Sequence, residues 1–331
     1  MEFLGPQAAD AVRHIMVDGA ARVNTALTLS HWPSSPTPPH LRRDLSCEIV
    51  MVYLESIRKK RHFKGSIFYK NDIEYVTVDH LDEDGILSIL AVLQPEFALK
   101  NKNQLISAAR LGDFNIASFA ASDTLTFALR FLLDPKRTYL PDLGDVDSFV
   151  AKSFTILDEL VKEFLSGKKV LQAEAEAEMA AFHRSYSAIS TGVIELTEIP
   201  ILSLGVVKVA KPENMEGSCL KADLDIGIHP AAIHTLTDMP RILLMYPDKV
   251  VYYDRYETWV RFISKKLPPR VNLELMAARL NSQEGDLIWH ADSINEPIAC
   301  FYAQEPDLSQ MAPEEVKDFL CSYLLENTVH Y

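Results

Sequence analysis

Along the N-terminal part of the chain, short strand-like runs alternate with longer segments of helical period. Residues 24–30, Asn-Thr-Ala-Leu-Thr-Leu-Ser, alternate as a strand that delivers His31 and Trp32 to its end. Residues 41–57 then place Leu41, Leu45, Ile49 and Val52 on one stripe, the pattern of an amphipathic helix. The β-branched run Ile73 to Val78 predicts a second strand, and the apolar run Ile86 to Leu93 a buried helix. Helical patterns continue over 101–111 and 117–133, and Asp134-Pro135, Pro141-Asp142 and Gly144 punctuate the end of the region. The order strand, helix, strand, helix predicts a mainly parallel sheet with helices on its faces.

The pattern changes twice after that. Residues 145–189 read as two helical segments separated near Gly167. From Gly192 onward strands dominate: Val193 to Leu196, Ile199 to Lys208, Arg241 to Met245 and Val250 to Tyr253. A helix capped by Asn272 follows, then a strand-like Leu287 to Trp289. The expected architecture is therefore α/β. It has a mainly parallel N-terminal domain (1–143), a helical connector (144–190) and a smaller α+β C-terminal domain (191–331).

Composition agrees with two ordinary cores. The chain has 331 residues, 48% hydrophobic and 24% charged, which is globular rather than disordered. Its net charge of −13 argues against nonspecific binding to duplex nucleic acid, which needs basic surface. A small anionic partner in a locally cation-lined pocket stays open. Cys47, Cys219, Cys300 and Cys321 lie far apart without CxxC spacing, so they suggest free thiols in a reducing cytoplasm. No apolar run is long enough to span a membrane, and Asp10, Arg13, His14 and Asp18 break up any signal-peptide core, so a cytoplasmic location is expected. Oligomeric state is not legible.

Candidate chemistry concentrates after the strand at 73–78. His80, Asp82 and Asp84 stand at i, i+2 and i+4, a spacing that sends side chains to one face of an extended segment. Asp79, Asp82, Glu83 and Asp84 crowd four carboxylates together, each close pair costing roughly 1 to 4 kcal/mol, so a cation should offset them. Gly85 suggests a sharp turn into a helix whose first amides point back at the cluster and could hold an anion. Asp-Glu-Asp-Gly is equally ordinary turn chemistry. An EF-hand is excluded, since Leu93 falls where its bidentate Glu belongs.

The run His80-x-Asp82-x-Asp84-Gly85-x-x-Ser88 resembles the first motif of the DHH phosphoesterases, manganese- or magnesium-dependent hydrolases of phosphodiesters, short oligonucleotides and pyrophosphate. The resemblance implies Asp82 and Asp84 as metal ligands with His80 as a third. No Asp-His-His triplet occurs, and in that superfamily the triplet supplies bridging ligands. Over most of its length the chain also resembles a bacterial family of unassigned function. That likeness is carried by Leu29-Ser30-His31-Trp32-Pro33 with Pro36-Thr37-Pro38, by the His80 motif, by Ala109 to Phe114 and by Arg255 to Val260.

Further residues complete the expected site. Asp113 is the best candidate for an additional ligand, the alternative being a helix end with Gly112 at the C′ position. The proline-rich loop after Trp32 could hold His31 and Trp32 at a mouth. Tyr256 and Trp259 could stack a flat group while Arg255 pairs a phosphate, and His290 stands two positions before Asp292 at a strand end. Asp44 and Glu48 read as solvated.

These observations converge on an expected phosphoesterase-like hydrolase using Mn²⁺ or Mg²⁺ on a small phosphorylated or nucleotide substrate in an interdomain cleft. Its metal ligands are His80, Asp82, Asp84 and Asp113, its catalytic groups His31, His80 and Asp113, and its substrate contacts Trp32, Ser88, Arg255, Tyr256, Trp259 and His290. The alternative is a catalytically inactive relative that binds a nucleotide or anionic metabolite. Serine-hydrolase elbows, dinucleotide fingerprints, Walker loops and HExxH are absent.

Overall fold

Four short strands of the N-terminal half, β1 (Glu2–Phe3), β2 (His14–Val17), β3 (Thr25–Leu29) and β4 (Tyr75–Val78), pair in parallel in the order β1-β4-β2-β3. The computed structural model describes residues 1–60, 73–134, 146–210, 219–221, 224–284, 288–304, 309 and 311–328. Helix α1 (Pro6–Ala9) links β1 to β2. Helices α2 (Ser46–Lys60), α3 (Glu83–Leu93), α4 (Pro95–Lys100), α5 (Lys102–Phe114), α6 (Ala121–Leu133), α7 (Val146–Leu165) and α8 (Gln172–Ser190) follow in order, with β4 as the one strand between them among the described residues. The chain forms two compact units, Met1–Met179 with Arg261–Ser264, and Ala180–Val260 with Lys265–Tyr331. The helices expected as a separate connector are thus divided, α7 belonging wholly to the first unit and α8 crossing the boundary.

In the first unit β2 lies between β3 and β4, and all four of its residues are buried. A strand covered on both faces shows no polar alternation, which is why so short a run escapes a reading by period. Helix α3 is buried from Glu83 through Val92 and packs against β4, α2 and α5, so its apolar residues face protein on every side. Helix α2 starts at Ser46 rather than at 41. Leu41 and Leu45 are buried as a helical stripe requires, but they belong to the loop that leads into it.

The second unit holds a mixed six-stranded sheet in the order β11-β12-β10-β9-β6-β5, built from β5 (Glu195–Ile199), β6 (Leu204–Lys208), β9 (Arg241–Met245), β10 (Val250–Asp254), β11 (Trp289–Ala291) and β12 (Cys300–Ala303). Only β6 and β9 run parallel. A separate hairpin joins β7 (Cys219–Lys221) to β8 (Leu224–Asp225), and helix α9 (Pro230–Leu236) precedes β9. Leu204, Val206, Leu243, Met245, Val250 and Tyr252 bury one sheet face with Leu273, Met276 and Leu280 of α10 (Leu273–Glu284) and Val316, Leu320 and Leu324 of α11 (Pro313–Thr328). Asn272 caps α10, its Oδ1 accepting the Leu275 amide at 2.9 Å. The architecture is α/β, with a parallel sheet near the N-terminus, a helical middle and a mixed sheet beyond. Among the described residues no helix is long and apolar enough to cross a membrane.

Candidate functional site

Parallel pairing in register brings the carboxyl ends of three strands to one edge of the first sheet, Val17 standing beside both Leu29 and Val78. In open α/β sheets that edge is where ligands bind. Asp18 directly follows β2, and His31 and His80 each stand two residues past the end of their strands. Asp82 and Asp84 come from the start of α3, and Asp113 from the last turn of α5.

Two groups of side chains result. Asp18, His31 and Asp84 form one, all buried. Asp18, His80 and Asp82 form the other, in which His80 is exposed and Asp82 partly so. Within each group, potential ligand atoms lie within 4.8 Å of one another, and Asp18 belongs to both. Its backbone takes φ +41°, the left-handed region, which Asp tolerates better than most residues and which concentrates at functional sites.

The buried group is held by the start of α2. Asp84 accepts the amides of Ser46 at 2.8 Å and Cys47 at 2.7 Å, and the Ser46 hydroxyl donates to Asp18 Oδ1 at 2.8 Å. Each carboxylate retains acceptor capacity beyond these bonds. His31 donates from Nδ1 to the Asp44 carbonyl, since a carbonyl can only accept. Burial pushes His31 down to about 4, so the neutral ring turns its Nε2 lone pair toward Asp18 Oδ1 at 3.5 Å and Asp113 Oδ2 at 3.4 Å. Asp113 Oδ2 is enclosed and accepts no hydrogen bond from any described group.

The electrostatics are those of carboxyls short of positive charge. Burial, reinforced by the Asp82 and Asp84 charges, raises Asp18 well above the usual carboxylate range. Asp113 is raised likewise by burial and by Asp84. Burial and the Asp82 charge push Asp84 up to about 7. In the outer group, His80 Nε2 lies 3.0 Å from Asp82 Oδ2, and this hydrogen bond pushes the imidazole up to about 9. Burial works against the ionised form of Asp82, but His80 and the Gly85 amide outweigh it and hold Asp82 low. Trp32 lies beside His80, ring centroids 5.8 Å apart.

Arg130 of α6 ties two of these segments together. It donates through Nε to Glu83 Oε1 at 3.1 Å, through Nη1 to Asn115 at 3.3 Å, and through Nη2 to the carbonyls of Leu111 at 3.4 Å and Gly112 at 3.1 Å. The helix end carrying Asp113 is thereby fastened to the turn carrying Asp82 and Asp84. Gly112 allows the approach, because a Cβ there would stand 2.7 Å from Glu83 Cβ.

Several expectations change. His80 and Asp82 come together, but through the geometry of a helix start and not through strand alternation, since β4 stops at Val78 and Asp82 is the N-cap of α3, while Asp84 joins Asp18 and His31 in the other group. Gly85 lies inside that helix, where a Cβ would come within 2.9 Å of Val78 Cγ2; it supplies room, not a turn. Its amide donates to Asp82 Oδ1 at 2.7 Å, which leaves no open anion cradle at that position. Gly112 does not end α5; Asn115, at φ +54°, does. Ser88 is completely buried in α3, away from any dissolved substrate.

Arg255 is a correction of the same kind. In the second unit its guanidinium turns inward to the Glu257 carboxylate through Nε and Nη2 and to the Thr237 carbonyl through Nη1 at 2.9 Å, a buried structural pair. Tyr256 and Trp259 stack on each other at 5.6 Å, and His290 lies 3.3 Å from Asp292 Oδ1, whose other oxygen accepts Lys221. His229 and His234 serve structure, the first capping α9 and the second bonded to the Tyr253 hydroxyl. Pro135, Pro141, Asp142, Gly144 and Leu287 lie outside the described residues.

Asp18, common to both groups, is the member of the cluster that the sequence patterns do not single out. Its signal was Asp18-Gly19 closing the three-residue apolar run Ile15-Met16-Val17, the same strand-end placement that singled out His31 and His80.

An α/β protein with a carboxylate and imidazole cluster at the carboxyl edge of a parallel sheet is the class that fold and site define. The chain belongs to the family of unknown function DUF6687, whose profile matches residues 1–327. No curated protein and no solved structure matches it significantly.

Proposed function

We propose that the first unit carries a divalent-cation centre and acts as a phosphoesterase-like hydrolase on a small phosphorylated or nucleotide substrate. The observation that carries this reading is the pair of side-chain groups sharing Asp18, in one of which buried carboxyls surround a neutral imidazole with no Lys or Arg of the described residues among them. Burying such groups uncompensated is costly, and a cation offsets the cost. An oxygen-rich set with imidazole suits Mn²⁺ or Mg²⁺, the nitrogen favouring manganese.

Asp18, His31 and Asp84 would hold an inner cation, with Asp113 facing the same imidazole, and Asp18, His80 and Asp82 an outer one. When bound, such cations supply Lewis acidity toward a phosphoryl oxygen and toward water. The chain's own residues do the rest. Asp44 keeps the His31 proton on Nδ1, so that Nε2 is the donor atom. Ser46 and Cys47 fix the rotation of Asp84, and Ser46 that of Asp18. Trp32 offers a flat apolar face next to His80 on the open side, suited to a nucleobase or similar ring. The free thiols of Cys47, Cys300 and Cys321 support a cytoplasmic setting.

Hydrolysis of bis-p-nitrophenyl phosphate by the purified chain, with and without Mn²⁺, tests the reading. Mn²⁺-dependent turnover that Asp82→Asn abolishes supports it. Tight Mn²⁺ binding without turnover on this and on nucleotide substrates supports the binding-only alternative. An Asp82→Asn variant with full metal and full activity overturns it.

A further inference from the structure

The hydrogen bond that sets the His31 tautomer depends on a stretch of chain far along the sequence. Asp44 receives the Nδ1 proton on its backbone carbonyl. Its side chain is anchored in turn, Oδ1 accepting the amides of Ile263 at 2.7 Å and Ser264 at 3.0 Å across sequence separations of 219 and 220. The Arg261 amide donates to the His31 carbonyl at 2.8 Å. The Arg261 guanidinium donates to the carbonyls of Pro33 at 2.6 Å and Ser35 at 2.9 Å, in the proline-rich loop that follows His31. Phe262 meets Phe114, the neighbour of Asp113, edge to face at 5.4 Å. Four consecutive residues thus touch the main chain of residue 31, the loop after it, the acceptor of its imidazole proton, and the helix end that bears Asp113.

We propose that Arg261–Ser264 is a brace for the cluster and that Asp44 is the positioning residue through which it orients the His31 imidazole. The inference rests on the cation-centre reading for its consequence, though not for its geometry. A ligand imidazole needs its second nitrogen held by an acceptor that does not drift, and loss of such outer partners typically weakens metal binding 10- to 100-fold. Asp44 sits in the loop ahead of α2, where no helical hydrogen bonds hold its carbonyl, so its side-chain anchor to the 263 and 264 amides takes that part. The site it serves is independently marked by Asp113, whose enclosed Oδ2 accepts no hydrogen bond from any described group and lies against the same imidazole.

The test compares the full-length native chain with Asp44→Ala and with Asp44→Asn, whose amide oxygen can still accept both backbone N–H groups. Nitrogen NMR of the metal-free proteins reads the His31 tautomer, Mn²⁺ titration reads the cations, and thermal unfolding of the metal-free forms verifies that all are folded. The expected result is an Nδ1–H tautomer in native and Asp44→Asn protein. In Asp44→Ala that tautomer is lost or averaged, and one of the two cations binds about 10- to 100-fold more weakly. If Asp44→Ala does not fold, Arg261→Ala carries the comparison and should weaken the same cation. A folded Asp44→Ala with native tautomer and native Mn²⁺ affinity overturns the brace while leaving the cation centre standing. Loss of the tautomer in a protein that never takes up Mn²⁺ retains the brace and overturns the cation centre.

Discussion

Nε2 of His31 faces Oδ2 of Asp113 at 3.4 Å, with the two side chains 0% and 5% exposed. Because Asp44 fixes the ring proton on Nδ1, a lone pair and a carboxyl oxygen meet inside the protein. Two acceptors at that separation need a proton or a cation near them. Asp18 and Asp84 crowd the same imidazole, so the demand for positive charge is collective, and the consequences below follow from how it is met.

Asp18 is the residue common to both groups, so its removal should reach both cations. Asp18→Asn is expected to weaken Mn²⁺ binding at each by at least about tenfold, the lower end of what even outer-shell changes cost. The same variant should leave the metal-free protein as stable as native or more so at neutral pH, because a buried carboxyl short of partners is replaced by a neutral amide. Calorimetric Mn²⁺ titration together with thermal unfolding in chelator checks both halves.

The pH dependence of the metal-free protein has a definite sign. Asp84 is pushed up to about 7 by burial and the Asp82 charge, and Asp18 and Asp113 are also raised. Between the unfolded carboxylate value near 4 and the folded values, the native state binds more protons than the unfolded one, so stability falls as pH rises through that window. Saturating Mn²⁺ should flatten the decline. His31, held down to about 4 by burial, works the other way below its ordinary value of 6.5, so melting curves from pH 6.5 to about 8, with and without Mn²⁺, provide the comparison; a metal-free protein that gains stability over this range contradicts the assignment.

Much of this cluster could be placed from the sequence, and the reasons for the rest are physical. The acidic run after β4 was legible because charge density does not depend on knowing the fold, and the strand before it was marked by β-branched residues. His31 was legible as the end of an alternating strand. β2 was not, because four residues buried on both faces carry no period, and Asp18 was hidden with it. Asp44 read as solvated on a continuous helical stripe, yet the helix begins later and its carboxylate binds amides 219 and 220 positions away, a relationship no local pattern contains. Arg255 read as a phosphate partner from its aromatic neighbours, while its actual partner is Glu257, two residues on.

Cation uptake should release protons. His80, pushed up to about 9 by Asp82, carries a proton at neutral pH, and Asp18 and Asp113 are raised as well. Ligands must shed these protons to coordinate, so apparent affinity should increase from pH 6 to about 8 and binding at pH 7 should release at least about one proton per chain. Titrations in two buffers of different ionisation enthalpy measure the release, and identical heats in both would count against it.

Arg130→Ala should act at a distance from the cations. It strips Glu83, a nearly buried carboxylate, of its ion pair and frees the α5 end that bears Asp113. With the guanidinium 30% exposed, a loss of about 2 kcal/mol is expected, within the range for hydrogen-bonded charge pairs. Denaturant unfolding measures it. Gly112→Ala should cost a similar amount by driving a methyl group against Glu83.

The most direct measurement is the number of Mn²⁺ ions bound per chain by chelator-stripped, full-length protein, determined in parallel for Asp18→Asn. Two ions are expected for the native chain, with affinity at both positions reduced in the variant. A native chain that binds none, or a variant that binds as the native does, contradicts it.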